Sequence, residues 1–312
     1  MGLLERRAVW VAGDRGWQRR LRLGQALWRE AKGLPIGEHR GRPLGSRLAM
    51  PEAEQHGWNF LTPGVADLVA GELAAVEAGS SKVLARRRLY EDLLSSQPLA
   101  FNLFGELATD LALATRVLGE LWLTRIDEVT HVAFEYSPGR GDPRYTGTRS
   151  AFDVFVEHTR PGGGAGFVGI EVKYHEHLGV AAAGNTARIK QVAAEAGIFR
   201  AEALPWLRRP PLQQLWFDHL LALSMRHADP HCWQDGVFVI AYPEANPRCA
   251  AVTDDYLACL TDRSTVERRT LEEIVAALAR HTTADWVARF ADRYLDSSRV
   301  DTAITQAEQD SA

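Results

Sequence analysis

Lysine is scarce in this sequence. Of 36 basic residues in 312, only Lys32, Lys82, Lys173 and Lys190 are lysine, and the other 32 are arginine. Arginine keeps its charge in proteins, whereas a lysine can lose its proton and is a compact point charge. Lys173 stands in the middle of an apolar segment, FVGIEVKY, which indicates a position where arginine would not serve.

Cysteine and long apolar runs are also rare. Cys232, Cys249 and Cys259 show no CxxC spacing, which excludes a disulfide framework or a zinc site of the usual kind. No uncharged stretch is long enough to span a bilayer. Glu5, Arg6 and Arg7 precede any apolar run, so we expect no signal peptide and no membrane partner, and a cytoplasmic protein.

Excess positive charge is absent overall, since the net charge is -4. Any surface that attracts nucleic acid must therefore be local. Residues 1–47 are rich in arginine, and Trp17 to Ala31 reads as a helix. Arg15, Arg19, Arg22 and Arg29 fall on roughly one face of it, which is typical either of an arm that contacts phosphates or of an ordinary solvated helix face.

The order of predicted elements indicates an α/β protein with a mixed central β-sheet flanked by helices. Apolar periodicity predicts one long first helix, three strands, a second helix and a further strand. These elements are helix 101–123, strands 129–136, 150–158 and 167–174, helix 212–226, and strand 236–242. A strand at 265–270 and helices at 271–280 and 284–295 are expected to follow.

Three charged residues fall inside the predicted strands. Alternation places Glu171 and Lys173 on one face of the third strand. The glycine-rich turn that follows the second strand centres near Gly162, so antiparallel pairing sets Asp153 close to Glu171, because 153 + 171 is twice 162. Two carboxylates and one lysine then converge on one patch of the sheet.

Buried charges of this kind require compensation. Two carboxylates with water and backbone carbonyls suit Mg²⁺ or Mn²⁺, which prefer oxygen ligands. Such an ion activates a bound water and neutralises charge on a phosphodiester. A desolvated lysine beside a cation has a depressed pKa, so we expect Lys173 to orient or deprotonate that water. The competing interpretation is a structural ion pair buried on a sheet.

Asp153 followed by Glu171-Val172-Lys173 on the next strand resembles the PD-(D/E)XK nuclease superfamily, whose core has the order αβββαβ. The proline of the motif is replaced by Phe152. The segments GWNFLTP at 57–63, SSQPLAFNLF at 95–104, IEVKYHE at 170–176 and QLW at 214–216 are also similar to a bacterial family of restriction-endonuclease-like proteins.

The resemblance implies further site residues. It suggests Glu106, on the first core helix, as a metal ligand, and Gln214 or its neighbour Gln213 as a catalytic residue beside Asp153, Glu171 and Lys173. Together with composition, it gives three expected regions: an arginine-rich helical extension over 1–95, a nuclease-like domain over 96–296, and a polar, disordered tail over 297–312.

The implied function is Mg²⁺-dependent endonucleolytic cleavage of DNA, in restriction or phage defence, with a homodimer left open. The alternatives are a catalytically inactive protein of the same fold that binds nucleic acid or acts as a scaffold, and a nuclease acting on RNA or in repair. The complete Asp/Glu/Lys set argues against the inactive protein, because three costly charges have no purpose without cleavage.

Overall fold

The computed structural model describes residues 3–176, 178 and 187–310. The helices, in chain order, are α1 Leu3–Arg6, α2 Gly16–Ala31, α3 Glu52–Gln55, α4 Pro63–Glu77, α5 Arg86–Glu91, α6 Ser96–Thr109, α7 Leu111–Leu121, α8 Ala187–Ala196, α9 Leu204–Leu207, α10 Gln213–Ala228, α11 Pro247–Ala258, α12 Leu271–His281, α13 Asp285–Tyr294 and α14 Ser298–Gln309. The strands are β1 Ile36–His39, β2 Arg42–Leu48, β3 Glu128–Tyr136, β4 Phe152–Thr159, β5 Ala165–Val172, β6 Asp235–Tyr242 and β7 Val266–Thr270. Within the described ranges, no helix has both the length and the apolarity to cross a membrane.

The chain forms two compact units whose limits differ from the division expected at residue 95. The first unit comprises Met1–Glu77, Leu84–Gly105 and Thr283–Ala312, and the second comprises Ala78–Val83 and Glu106–Thr282. The first unit thus joins both ends of the chain, a pairing that no local pattern in the sequence reveals.

The C-terminal segment is helical where a disordered tail was expected. Ser298–Gln309 forms α14, and Val300, one turn before Ile304, joins a small apolar cluster with Val9, Leu23 and Ala26. Gly24 of α2 permits the approach, because a Cβ there would lie 3.2 Å from Val300. The polar composition of the tail does not reveal these two apolar residues, which belong to the same cluster as Leu23 and Ala26 of α2.

A buried polar network in the first unit involves two of the segments noted in the sequence, those at 57–63 and 95–104. Asn102 donates to the carbonyl of Asn59 (2.9 Å), and its own side-chain oxygen accepts from the backbone N–H of Leu61 (2.8 Å). Arg293 donates to the same Asn59 carbonyl (2.8 Å) and, through its Nε, to Gln25 (3.1 Å). Buried polar groups must be hydrogen-bonded, so these residues hold the first unit together.

The second unit is built on a five-stranded mixed sheet in the order β3-β4-β5-β6-β7, as expected for the α/β class. β3, β4 and β5 pair antiparallel, whereas β5-β6 and β6-β7 pair parallel. The strands β5 and β6 are buried on both faces, as their continuous apolar sequences indicate. Gly169 of β5 leaves room for the ring of Phe152, since a Cβ there would lie 2.7 Å from it.

The first core helix is interrupted where one continuous helix over 101–123 was predicted. α6 ends at Thr109 and α7 starts at Leu111, with Asp110 between them. The Asp110 carboxylate accepts from the backbone N–H of Leu113 at 2.8 Å, which caps the new helix. The apolar periodicity continues across the break, and therefore does not reveal it.

Candidate active site

The register of the sheet brings Asp153 and Glu171 together as predicted. Val154 pairs with Ile170 and Phe155 with Gly169, so the next step along β4 and β5 sets Asp153 beside Glu171. Oδ2 of Asp153 accepts a hydrogen bond from the backbone N–H of Val172 at 2.8 Å. The acid on β4 is therefore fixed against the end of β5.

Lys173 and Gln214 converge on one oxygen of Glu171. Nζ of Lys173 lies 2.5 Å from Oε1 of Glu171, and Nε2 of Gln214 donates to the same oxygen at 2.6 Å. Lys173 also donates to Oε1 of Gln214 at 3.2 Å, which closes the triangle. Glu171 and Lys173 are 5% and 6% exposed. Gln214, one of the two glutamines considered, reaches this group.

The pKa of Lys173 is raised. The depressed value expected from the sequence applies to the lysine beside a bound cation, so it stays a prediction. Burial lowers this pKa, but the negative charges of Glu171, Glu176 and Asp153 outweigh burial and favour the ammonium. The residue therefore acts in this structure as a fixed positive charge and hydrogen-bond donor. Glu176, just beyond β5, supplies a carboxylate that the motif alone did not include.

The pKa of Asp153 is raised well above its usual value. Burial is the main cause, and the negative charge of Glu171 is the next, although the positive charge of Lys173 opposes both. Two carboxylates that share a buried position repel each other, so one of them favours its protonated form. A cation placed between them would relieve this repulsion.

Asp218 is a third buried acid that the sequence analysis did not include. It lies on α10 one turn after Gln214 and is 4% exposed. Its Oδ2 has no hydrogen-bond partner among the described residues, and burial together with the charge of Glu171 raises its pKa well above the usual value. The four-residue spacing in QLWFD was the available signal, because residues at that spacing share a helix face.

Glu135 is a fourth acid near the site. Phe134 pairs with Val154 and Tyr136 with Phe152, so Glu135 of β3 stands opposite Asp153. Its backbone has a φ of +48°, a strained conformation for a residue with a side chain, and its carboxylate pairs with Arg140 at 2.6 Å. Nothing in the local sequence predicts this conformation, since a strand of alternating residues normally excludes it.

Glu106 lies on α6, three residues before the end of that helix, and is half-buried. The largest influences of individual charges on the pKa of Asp153 come from Glu171, Lys173 and Glu135. These charges do not test whether Glu106 is a metal ligand, and that role stays a prediction.

Two of the four arginines expected to contact nucleic acid are internal. Arg22 donates to both carboxylate oxygens of Asp14 (2.5 and 3.2 Å) and to Ser46 (2.8 Å). Arg29 donates to the carbonyls of Gly45 (3.0 Å) and Leu34 (2.7 Å). Both side chains are buried, so the expectation of a phosphate contact is wrong for them. The shared helix face packs inward at these positions because each guanidinium finds partners there.

The other two arginines occupy the start of the same helix. Arg15 precedes α2 and is exposed, whereas Arg19 lies 4.7 Å over the ring of Trp10, which is half exposed to solvent. These two positions keep the prediction of a nucleic-acid contact open.

Replacing Arg22 tests its structural assignment. Arg22→Ala is expected to lower the free energy of unfolding by about 3–5 kcal/mol, because it leaves the buried Asp14 carboxylate uncompensated. Urea denaturation followed by circular dichroism measures this loss. Arg20→Ala on the same helix, which removes an exposed pair with Asp301, is the matched control and should change stability little. Equal stability of the Arg22→Ala variant and the wild type would contradict the assignment.

The carboxylates of the site fit a cation that prefers oxygen. Among the residues the structure describes, Oδ1 of Asp153 and Oε2 of Glu171 accept no hydrogen bond, and Oδ2 of Asp218 lacks a partner. The same residues contain no group of three or more His, Cys, Asp or Glu arranged to hold a metal. Mg²⁺ is commonly bound by one or two carboxylates and several waters, so a pair of acids is sufficient for it, whereas a structural zinc site requires four ligands.

Comparison with known proteins agrees with the resemblance seen in the sequence. The family model of the PD-(D/E)XK nuclease superfamily matches residues 12–296, which is most of the chain. No curated protein and no solved structure matches the chain.

Proposed function

The chain belongs to the PD-(D/E)XK nuclease superfamily, and from that premise we propose that it is a metal-dependent endonuclease that hydrolyses phosphodiester bonds in DNA. The observation that carries the proposal is the convergence of Lys173 and Gln214 on Glu171 beside Asp153. A purely structural ion pair would not need a second buried acid whose charge opposes the first.

The residues take distinct parts in the proposed reaction. The free oxygens of Asp153 and Glu171 would hold Mg²⁺ or Mn²⁺, which when bound supplies Lewis acidity toward the phosphate and a more acidic water. Gln214 fixes the orientation of the Glu171 carboxylate through its 2.6 Å hydrogen bond. Lys173 presents an ammonium that donates to the attacking water or to a phosphate oxygen and so offsets negative charge in the transition state.

A role in restriction or phage defence follows from the resemblance of the segments at 57–63 and 95–104 to bacterial restriction-endonuclease-like proteins, and is proposed on that basis. In the first unit, Arg15 and Arg19 are the residues proposed to contact the phosphate backbone of DNA. Their neutralisation would weaken binding to all sequences alike and lower the salt dependence by about one slope unit per lost contact.

The proposal is tested by incubating the purified protein with supercoiled plasmid, circular single-stranded DNA, linear duplex and RNA, each with Mg²⁺, Mn²⁺ or EDTA. We expect the circular DNA substrates to be cut with either metal and to remain intact in EDTA, and Lys173→Ala to be inactive throughout. Cleavage of RNA alone would contradict the DNA assignment. Cleavage that persists in EDTA would contradict the proposed metal dependence. No cleavage of any substrate would contradict the assignment as a nuclease.

Replacement of Glu106 tests the third acid predicted from the sequence. Glu106→Gln is expected to raise the Mg²⁺ concentration needed for half-maximal cleavage by more than the about 10–100-fold typical of groups that only support a metal ligand, because Glu106 is predicted to be a ligand itself. The measurement is an initial-rate titration with Mg²⁺ on plasmid, with thermal melts to show that the fold is intact. Glu202→Gln, at an exposed position of the second unit, is the control. A titration curve that coincides with the wild type would remove Glu106 from the site.

A further inference from the structure

The β-hairpin of the first unit, formed by β1 and β2, ends in a tip that is exposed to solvent. The register pairs His39 of β1 with Arg42 of β2, so that Arg40 and Gly41 form a two-residue turn. All residues from 38 to 43 are exposed. Their sequence, EHRGRP, holds two arginines and a histidine against one carboxylate. The hairpin is therefore a local positive projection on a chain whose net charge is -4.

The base of this hairpin is anchored to the first unit. Buried Arg29 of α2 donates to the carbonyl of Leu34, which precedes β1, at 2.7 Å. It also donates to the carbonyl of Gly45 in β2 at 3.0 Å, and so holds both strands to the helix. Gly37 lies so close to the backbone of Leu48 that a Cβ would not fit between them. The tip therefore projects from a fixed base.

The basic side chains of the tip are unpaired. Within the described ranges, His39, Arg40 and Arg42 form no hydrogen bond or ion pair with another residue. Directly paired residues of an antiparallel ribbon project to the same face, so His39 and Arg42 share one face. The carboxylate of the tip belongs to Glu38, which pairs with Pro43 and projects to the opposite face. The two arginines are therefore available to an anion outside the chain.

Arg40 has a backbone conformation that arginine disfavours. Its φ is +53° and that of Gly41 is +73°, so both residues are left-handed, as a type I′ turn requires. Asn-Gly is the preferred sequence for this turn, because asparagine tolerates the left-handed region better than most side chains do. Residues held in such conformations cluster where ligands are bound. Arginine at this position costs stability, and its presence is explained if the tip binds an anion.

We propose that this hairpin is a binding surface for duplex DNA, that its tip enters the major groove, and that Arg40 and Arg42 contact phosphates there. The major groove is about 12 Å wide and admits a two-stranded ribbon. The planar guanidinium matches the geometry of a phosphate and keeps its charge. This inference rests on the proposed function, which takes DNA as the substrate, and it adds a surface in the first unit that holds that DNA.

Paired substitutions at the tip test the surface. A fluorescein-labelled duplex of about 20 base pairs and one of its single strands are titrated with the full chain in EDTA, at about 50 and about 200 mM salt. Arg40→Asn with Arg42→Gln should lower the salt slope for the duplex by about two units. Its loss of duplex affinity should then be about tenfold larger at the lower salt, and binding of the single strand should change less.

The matched control removes the same number of charges from the same unit. Arg87→Ala with Arg289→Ala replaces two exposed arginines that pair with acids on their own helices or helix ends. This control should bind the duplex with the salt slope of the wild type, because a contact at the tip depends on where the charge lies and not on the net charge alone.

Arg40→Asn by itself separates binding from stability. Asparagine suits the type I′ turn, so we expect the melting temperature to rise by about 1–2 °C. The salt slope for the duplex should at the same time fall by about one unit. An arginine that served only the fold would give a lower melting temperature and an unchanged slope.

The inference is overturned if the wild type does not bind the duplex, if the tip variants bind it like the wild type, or if the control pair has an equal effect. It is also overturned if the tip variants weaken binding of the single strand as strongly as binding of the duplex. Failure of the proposed function gives a different result. A wild type that binds the duplex but cuts no DNA with Mg²⁺ contradicts the nuclease, while loss of duplex binding in the tip variants still supports the surface.

Discussion

Lys173→Arg is expected to lose nearly as much cleavage activity as Lys173→Ala, a loss of about 10²–10⁴-fold. Arginine keeps the positive charge and pairs well with a carboxylate, so a structural ion pair with Glu171 would tolerate it. The proposed catalytic role of Lys173 would not tolerate arginine. The ammonium occupies a buried position 2.5 Å from Glu171 and 3.2 Å from Gln214, and a planar guanidinium is wider and directs its donors differently.

The two interpretations of Lys173 therefore predict opposite results from one substitution. Single-turnover cleavage of plasmid with Mg²⁺ measures the effect, and thermal melts exclude a loss that comes from misfolding. Lys190→Arg, at an exposed position of α8, is the matched control and should cut like the wild type. A well-folded Lys173→Arg protein that cuts at a near wild-type rate would falsify the catalytic assignment.

Asp153→Asn is expected to abolish metal-dependent cleavage and at the same time to stabilise the metal-free protein. The activity loss should exceed the 10–100-fold typical of groups that only support a metal ligand, because Asp153 is proposed to hold the ion itself. The gain in stability follows from removing one of two buried carboxylates that repel each other. Asparagine keeps an oxygen that can accept from the N–H of Val172.

The stability difference should depend on pH in a defined direction. The pKa of Asp153 is raised in the folded protein above its usual value of 3.8, so the folded state holds this proton more tightly than the unfolded state does. The wild type has the full stabilisation from this bound proton below pH 3.8, and it loses that stabilisation as the pH rises through the raised pKa. Asparagine does not titrate, so the advantage of the variant should grow with pH.

Urea denaturation in EDTA at pH 5 and pH 8 measures this difference, which is on the order of 1 kcal/mol for each unit of pKa shift. Asp127→Asn, at an exposed position next to β3, is the matched control and should show no such trend. The assignment would be contradicted by a variant that cuts at the wild-type rate, or by one that is less stable than the wild type at pH 8.

Local sequence determined the active-site strands. The alternation of FVGIEVKY and the glycine turn near residue 162 are short-range features, so the pairing of Asp153 with Glu171 could be predicted from them and is what the sheet has. The α/β class followed from the order of the predicted elements, and the superfamily from that order together with Asp153, Glu171 and Lys173. Periodicity and turn chemistry act within a few residues of one another, which is why one sequence is enough to read them.

Only the tertiary structure decided the remaining features of the site. The direction of the pKa shift of Lys173 depends on Glu176 and Asp153 as well as on burial, and the part of Asp218 depends on which face of α10 meets the sheet. Spacing on α2 could not distinguish an exposed arginine from Arg22, which finds Asp14 and Ser46. Charge interactions and burial are set by groups that are distant in sequence and close in space, and a sequence pattern carries no measure of that proximity.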